Sequence, residues 1–320
     1  DGDRMARSKL IIRPVALLLL CALLAVCALL GFGIRKAFTK KPGPVVSAPP
    51  ISTAPQAQVP DNYTYITPES SQLARGPLIL VNESAACSFA QEDTLVSLYE
   101  HKAGTYAVRD KLLLLQEDMI PALDALMQGL KEEIPEHTVS VFAGYRTSQE
   151  QQDVYDSAVK RSGEDAAKKM VSAATKSDYH TGYSVDFKLV DPQGASENFT
   201  GEGDYAWVPQ NAPKYGFVLR YPEGKEDRTG LDYRSDHYRY VGLPHSLIMQ
   251  ENSFTLEEYI DYLKAYPFEG THLSYEADGR QYEIYYAAAG TAGSIPVPSD
   301  TQNYAISGNN IDGYIVTVTR

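Results

Sequence analysis

Between Val15 and Ile34 the chain runs through VALLLLCALLAVCALLGFGI without one charged side chain. At a rise of ~1.5 Å per residue, that length matches a hydrocarbon core ~30 Å thick. The sequence therefore predicts a transmembrane helix over 15–34, with a soluble body beyond it. A cleavable signal has a shorter apolar core of ~7–15 residues ahead of a small-x-small cleavage site, so the run fits a retained anchor better. Four basic residues precede it (Arg4, Arg7, Lys9, Arg13) and four follow (Arg35, Lys36, Lys40, Lys41). The excess of positive charge that usually orients such a helix is balanced here. Residues 1–41 read as tip and anchor, and 42–68 as a stalk. The stalk opens PGPVVSAPPISTAPQAQVP, rich in proline and free of charged or aromatic residues, a composition that favours extended conformers and offers nothing to pack.

The 320 residues carry a net charge of -12, and the basic tip makes the remainder more acidic still. A body of that sign has no basic face with which to displace counterions from a phosphate polymer, so a nucleic-acid partner is excluded. Cys21 and Cys27 lie in the apolar run, which leaves Cys87 alone in the body and no disulfide within it.

Hydrophobic periodicity predicts a strand over Leu78–Val81 after Gly76-Pro77, and a helix over Asp110–Glu133 in which Pro121 marks a kink or an N-terminal boundary. Thr138–Ala143 alternates as a half-buried strand, Gln149–Arg161 reads as helix and Val185–Leu189 as strand. Thr255 is placed to cap a helix over Leu256–Tyr266, with Glu257 and Glu258 in its first turn. Beyond it, Leu273–Ala277 and Gln281–Ala287 flank the hairpin dipeptide Asp278-Gly279, and Gly313–Thr319 alternates β-formers. The texture suggests a main domain over 69–268 and a small β appendage over 269–320.

Three polar stretches lie between these apolar elements: GYRTSQEQQDVY at 144–155, KSDYHTGYSVDF at 176–187 and YRSDHYRYVG at 233–242. Together they resemble the VanY-type D-alanyl-D-alanine carboxypeptidases, zinc enzymes that trim the terminal D-alanine from peptidoglycan stem peptides. The resemblance runs from about Leu73 to Leu263. It implies a compact α+β zinc-carboxypeptidase-like domain with a mainly antiparallel sheet flanked by helices. Gly144, Tyr145, Arg146, Gln151 and Tyr155 keep the spacing of the family's first stretch, which implies that Arg146 supports an oxyanion and the substrate backbone, with Tyr145, Gln151 and Ser177 in substrate binding. A planar cation can hold a developing negative oxygen where water is scarce.

The other two stretches depart from the family pattern. Aligned on Gly182 and Asp186, Tyr179 falls on the family's metal-binding His, and His180 lies one place too late. Asp186 and His237 keep the other two ligand positions. Arg234 stands where the family has its Glu base, and Tyr238, Arg239, Tyr240, Val241 and Gly242 keep the tail. The candidate metal set is thus His180, Asp186 and His237, with zinc as the implied ion. A zinc peptidase needs three protein ligands, an open position for water and a carboxylate to take its proton, and a guanidinium cannot take a proton. The expectation is a single-pass membrane protein whose extracytoplasmic domain engages stem peptides ending in D-Ala-D-Ala, with catalysis lost or much reduced. An active zinc D,D-carboxypeptidase and a cell-wall scaffold are the alternatives. His101, His137, His245 and His272 have no ligand spacing and receive no role.

Overall fold

The computed structural model describes residues 62–104, 106–290 and 294–320. The apolar run at 15–34 and most of the proline-rich stretch lie outside the described residues. Among the described residues no helix is long and apolar enough to cross a membrane.

In chain order the strands are β1 (Tyr63–Ile66), β2 (Leu95–Ser97), β3 (Ala107–Val108), β4 (Leu114–Gln116) and β5 (Val139–Ala143). They continue with β6 (Ser184–Val190), β7 (Ser196–Asn198), β8 (Phe217–Leu219), β9 (His237–Tyr240) and β10 (Leu273–Ala277). The last are β11 (Arg280–Ala288), β12 (Ile295–Pro298), β13 (Tyr304–Gly308) and β14 (Gly313–Thr319). The central sheet runs β3-β5-β6-β9-β8, with β7 added against β6. Only its β3–β5 pair is parallel. A second, antiparallel sheet runs β10-β11-β14-β13. The mainly antiparallel α+β architecture expected from the sequence is present.

The two faces of the central sheet do different jobs because side chains alternate along a strand. Val139, Val141, Val185, Phe187, Phe217 and Tyr238 join Leu123, Leu126, Met127 and Leu130 of the Ile120–Glu133 helix in one buried core. The intervening positions on β6 and β9 are polar and equally buried: Ser184 and Asp186, His237 and Arg239. The register sets Asp186 opposite His237 and Ser184 opposite Arg239. The candidate site is built on this second face.

Two predicted elements are corrected. Leu78–Val81 is buried but is not a strand. Its main chain is met largely by side chains instead of a ladder: Ser307 Oγ accepts from the Leu78 N–H, Arg239 donates to the carbonyls of Pro77 and Ile79, and Asn310 donates to that of Leu80, while the Leu80 N–H reaches the Asn309 carbonyl. The helix expected from Asp110 begins only at Ile120. Pro121 lacks an N–H and its ring clashes with the preceding turn, so it sits in the first turn as a boundary. Ahead of it β4 pairs with β2, and Leu112, read as part of the helical stripe, is 85% exposed.

Other elements fall where periodicity put them: helices at Ser148–Ser162 and Leu256–Leu263, each opened by a threonine capping box. Asp278 and Gly279 both take positive φ, as a two-residue hairpin turn requires. The second sheet shares a core with the main body, since Ile284 and Ile315 pack with Val218, Val241, Met249 and Ile260. Residues 63–66, assigned from sequence to the stalk, form β1 and pair with β12.

A carboxylate ties that N-terminal strand to the C-terminus. Glu283 accepts from Tyr63 Oη at 2.5 Å and from Arg320 Nη2 at 2.8 Å, and it meets His272 Nδ1 at 2.6 Å. The His272 contact, helped by Tyr63 and Arg320 against partial burial, lowers its carboxyl to about 2. A depressed carboxyl contributes stability that is fully present above its unfolded value of ~4.3 and is lost as the pH falls through the folded value. We expect Glu283→Gln to lower stability at pH 7, and the gap from the unaltered chain to close as urea unfolding is repeated from about pH 5 down to about pH 2. A gap that persists unchanged at the acid end would contradict this linkage.

Candidate functional site

Ser177 leads into a single 3₁₀ turn, Asp178–Thr181, which ends at Gly182 with φ +71°. A Cβ on Gly182 would lie 2.5 Å from Leu95 Cδ2, so the position needs glycine for space as well as for conformation. The turn aims Asp178 and Tyr179 at the polar face of β6 and β9.

Asp186 is the centre of the cluster. Its Oδ1 lies 2.7 Å from His237 Nδ1, while Oδ2 accepts from Tyr179 Oη at 2.5 Å and from Arg234 Nη2 at 2.9 Å. Arg234 also donates from Nη1 to Tyr179 Oη at 2.9 Å and is paired with Asp236 at 3.2 Å. The Tyr179 ring stands edge-on to the His237 ring at 4.7 Å, and the Arg146 guanidinium lies 3.7 Å from the Tyr179 ring centroid. Burial alone would raise the Asp186 carboxyl, but Arg234 and His237 hold it well below the usual carboxylate range. Burial, reinforced by the Asp186 charge, drives the Tyr179 phenol far above its ordinary value. Burial would likewise lower Arg234, yet Tyr179, Asp186 and Asp236 keep it firmly charged.

Behind this lies a second, fully buried carboxylate that the sequence reading did not single out. Asp178 accepts from Arg239 Nη1 and Ser184 Oγ, lies 3.4 Å from Arg220 Nε and is 3.3 Å from His237 Nε2. Arg220 in turn forms a bidentate pair with Glu257 at 2.7 and 3.0 Å. Burial would raise Asp178; Arg239, His237 and Arg220 overcome that and hold it far below the ordinary range. In sequence, Asp178 is one of many acidic residues; only the turn that inverts it toward β9 makes it central.

Arg146, Gln151, Ser177, Tyr179, Asp186 and Arg234 line one cleft of about 220 Å³. Arg146 Nη1 donates to Gln151 Oε1 at 3.3 Å, and Gln151 Nε2 is anchored to the Ser172 carbonyl at 2.7 Å. His237 is buried beneath the cleft. Tyr145 is not among the lining residues; its hydroxyl is bonded to Glu92.

His180, named from sequence as a replacement ligand, does not join the cluster. Its Nε2 accepts from the Thr175 N–H at 3.1 Å, which leaves Nδ1 to donate to the Arg146 carbonyl at 2.7 Å. Both nitrogens are committed to main chain, and no lone pair is left for an ion. Adjacent residues project differently from the backbone, so the neighbour of a ligand position does not inherit its direction. The donor set therefore does not fit zinc: Asp186 and His237 remain, Tyr179 keeps its proton, and a guanidinium stands among them. Among the described residues no group of three or more His, Cys, Asp or Glu side chains is placed to hold a metal.

The buried ion pairs should carry measurable stability. Removing one partner of such a pair costs about 3–5 kcal/mol, whereas an exposed pair contributes about 0–1 kcal/mol. Asp178→Ala is expected to fall in the first range in urea unfolding at neutral pH, and Asp93→Ala, which breaks only the surface pair with Arg75, in the second.

Comparison with known proteins places this geometry. The family described as VanY, D-alanyl-D-alanine carboxypeptidase, matches residues 112–243. A D-alanyl-D-alanine carboxypeptidase of Enterococcus faecium is 33% identical over 263 residues, covering 81% of this chain and 80% of that protein. Among solved structures, the vancomycin-resistance D,D-dipeptidase VanXYg, determined in complex with a D-Ala-D-Ala phosphinate analog, superposes with a TM-score of 0.71. It has 33% identity, and the match covers 81% of this chain and 99% of that one. The LD-carboxypeptidase LdcB gives a TM-score of 0.50 at 30% identity, covering 57% of this chain and 85% of its own.

Proposed function

Since the chain belongs to the VanY family of D-alanyl-D-alanine carboxypeptidases, we propose that it engages peptidoglycan stem peptides ending in D-Ala-D-Ala through the Arg146 cleft, with hydrolysis lost or much reduced. The uncharged run Val15–Ile34 supports a single-pass anchor. A domain for stem peptides is useful only outside the cytoplasm, so the N-terminus faces inward in this reading.

The observation that carries the proposal is the state of Arg146. Its guanidinium is half-buried, stacked on the Tyr179 ring and hydrogen-bonded to a neutral amide, with no carboxylate partner among the described residues. Arg234, in contrast, is neutralised by Asp186 and Asp236. A planar fork facing a cleft beside Ser177 and Gln151 suits a peptide carbonyl or terminal carboxylate.

The same arrangement argues against efficient cleavage. Amide hydrolysis needs a group to take a proton from water and return it to the leaving amine. Arg234 cannot accept one, Asp186 is held by three partners, and Asp236 is bound to Arg234. Loss of a general base alone costs about 10²–10⁴ in rate.

Titration of the full chain in detergent with an acylated Lys-D-Ala-D-Ala peptide tests both halves. We expect saturable binding and no D-alanine release, with or without added zinc. Arg146→Met should weaken binding by about 10-fold or more, as loss of a charge-assisted contact of ~1.5–3 kcal/mol requires. Catalytic release of D-alanine would return the protein to the active carboxypeptidases. Absence of binding would leave the scaffold reading. Protease treatment of intact cells should remove the domain if it lies outside.

A further inference from the structure

We infer that the Arg234 guanidinium stands in for a bound cation: it compensates the buried Asp186 carboxylate beside His237 without a metal and closes the space next to that carboxylate to one. The inference rests on the contacts within the cluster and does not depend on whether the cleft takes a peptide.

A carboxylate buried as deeply as Asp186 is stable only when a cation or several donors compensate it. Here the compensation is complete. One oxygen faces His237, and the other takes a phenol proton and a guanidinium N–H at once. Tyr179 is held from both sides, donating to Asp186 and accepting from Arg234. The three side chains therefore form a closed ring of hydrogen bonds around Asp186 Oδ2. The Tyr179 and His237 rings pack edge to face beside it.

An entering divalent ion would meet three obstacles. It would have to displace the Arg234–Asp186 ion pair, break the Tyr179 hydrogen bonds to Asp186 and Arg234, and sit beside a fixed positive charge in a poorly solvated place. The arrangement is nonetheless only two side chains, Tyr179 and Arg234, away from a set of three metal-binding residue types on this face. An imidazole at position 179 stops short of the point that the phenol oxygen reaches. The shorter ring would free the space beside Asp186 that the phenol hydroxyl now fills. What keeps the native chain metal-free is thus the pairing of a long phenol with a guanidinium, and the strands beneath are already in register for a metal site.

The test uses the full chain, purified without nickel, incubated with zinc, freed of excess and analysed for zinc by elemental mass spectrometry, with thermal unfolding followed in parallel. The native chain should carry no stoichiometric zinc, and its midpoint should be indifferent to zinc and to chelator. Tyr179→His combined with Arg234→Glu should take up one zinc per chain, with a midpoint raised by zinc and lowered by chelator. Arg234→Gln alone should lower the midpoint in a way that zinc does not restore, because Tyr179 remains. One chelator-removable zinc per native chain would overturn the inference, as would a folded double variant that binds none. If the double variant folds neither with nor without zinc, Arg234→Gln decides: a lowered midpoint supports the stand-in, and an unchanged one refutes it.

Discussion

The buried carboxylate of Asp178 is the interaction on which most of this architecture depends. It draws Arg239 from β9, Arg220 from just past β8, Ser184 from β6 and His237 into one charge-compensated cluster. Each arginine then reaches outward. Arg239 satisfies carbonyls in the buried Leu78–Val81 segment, and Arg220 grips Glu257 at the start of the Leu256–Leu263 helix. One carboxylate thereby couples the central sheet, the N-terminal segment and the helix that carries the second core. Such burial of charge is tolerable because every member has its partner.

The candidate site is a smaller version of the same principle. Asp186 and His237 are presented by neighbouring strands in fixed register, a geometry set by main-chain pairing and independent of what fills the space between them. Tyr179 and Arg234 fill it. The Arg234–Asp186 ion pair occupies that space, while the frame beneath it is set by the strands. Membership of a carboxypeptidase family therefore fixes the frame and not the reactive centre, because fold and site are specified by different residues.

Much of the frame was legible in the sequence because it rests on local rules. Alternation identified β5, β6 and β14, the Asp278-Gly279 pair marked its hairpin, and Thr255 marked its helix start. Pro121 carried the correct boundary, though the leucines ahead of it mimicked a helical stripe; Leu115 is buried by strand pairing and Leu112 is not buried at all. Leu78–Val81 was apolar enough for a strand, and nothing local could disclose that Arg239, some 160 residues away, and residues 307–310 supply its hydrogen bonds. Within the site, motif spacing brought Arg146, Gln151, Ser177, Asp186 and Arg234 to one cleft. It could not orient His180 and Tyr145, whose directions are fixed by Thr175, Arg146 and Glu92. Asp178 escaped notice for the same reason.

The pairing of β1 with β12 also has a mechanical meaning. Residues before Tyr63 enter the folded body through this strand pair, next to the sheet that contains the C-terminus. Tension arriving from that side is borne first by the β1–β12 ladder and by the Tyr63–Glu283–Arg320 linkage. The strands bearing Asp186 and His237 belong to a different sheet. A pull applied at Tyr63 would strain the β1–β12 pair before it reached the central sheet, so load at that strand leaves the cleft its shape.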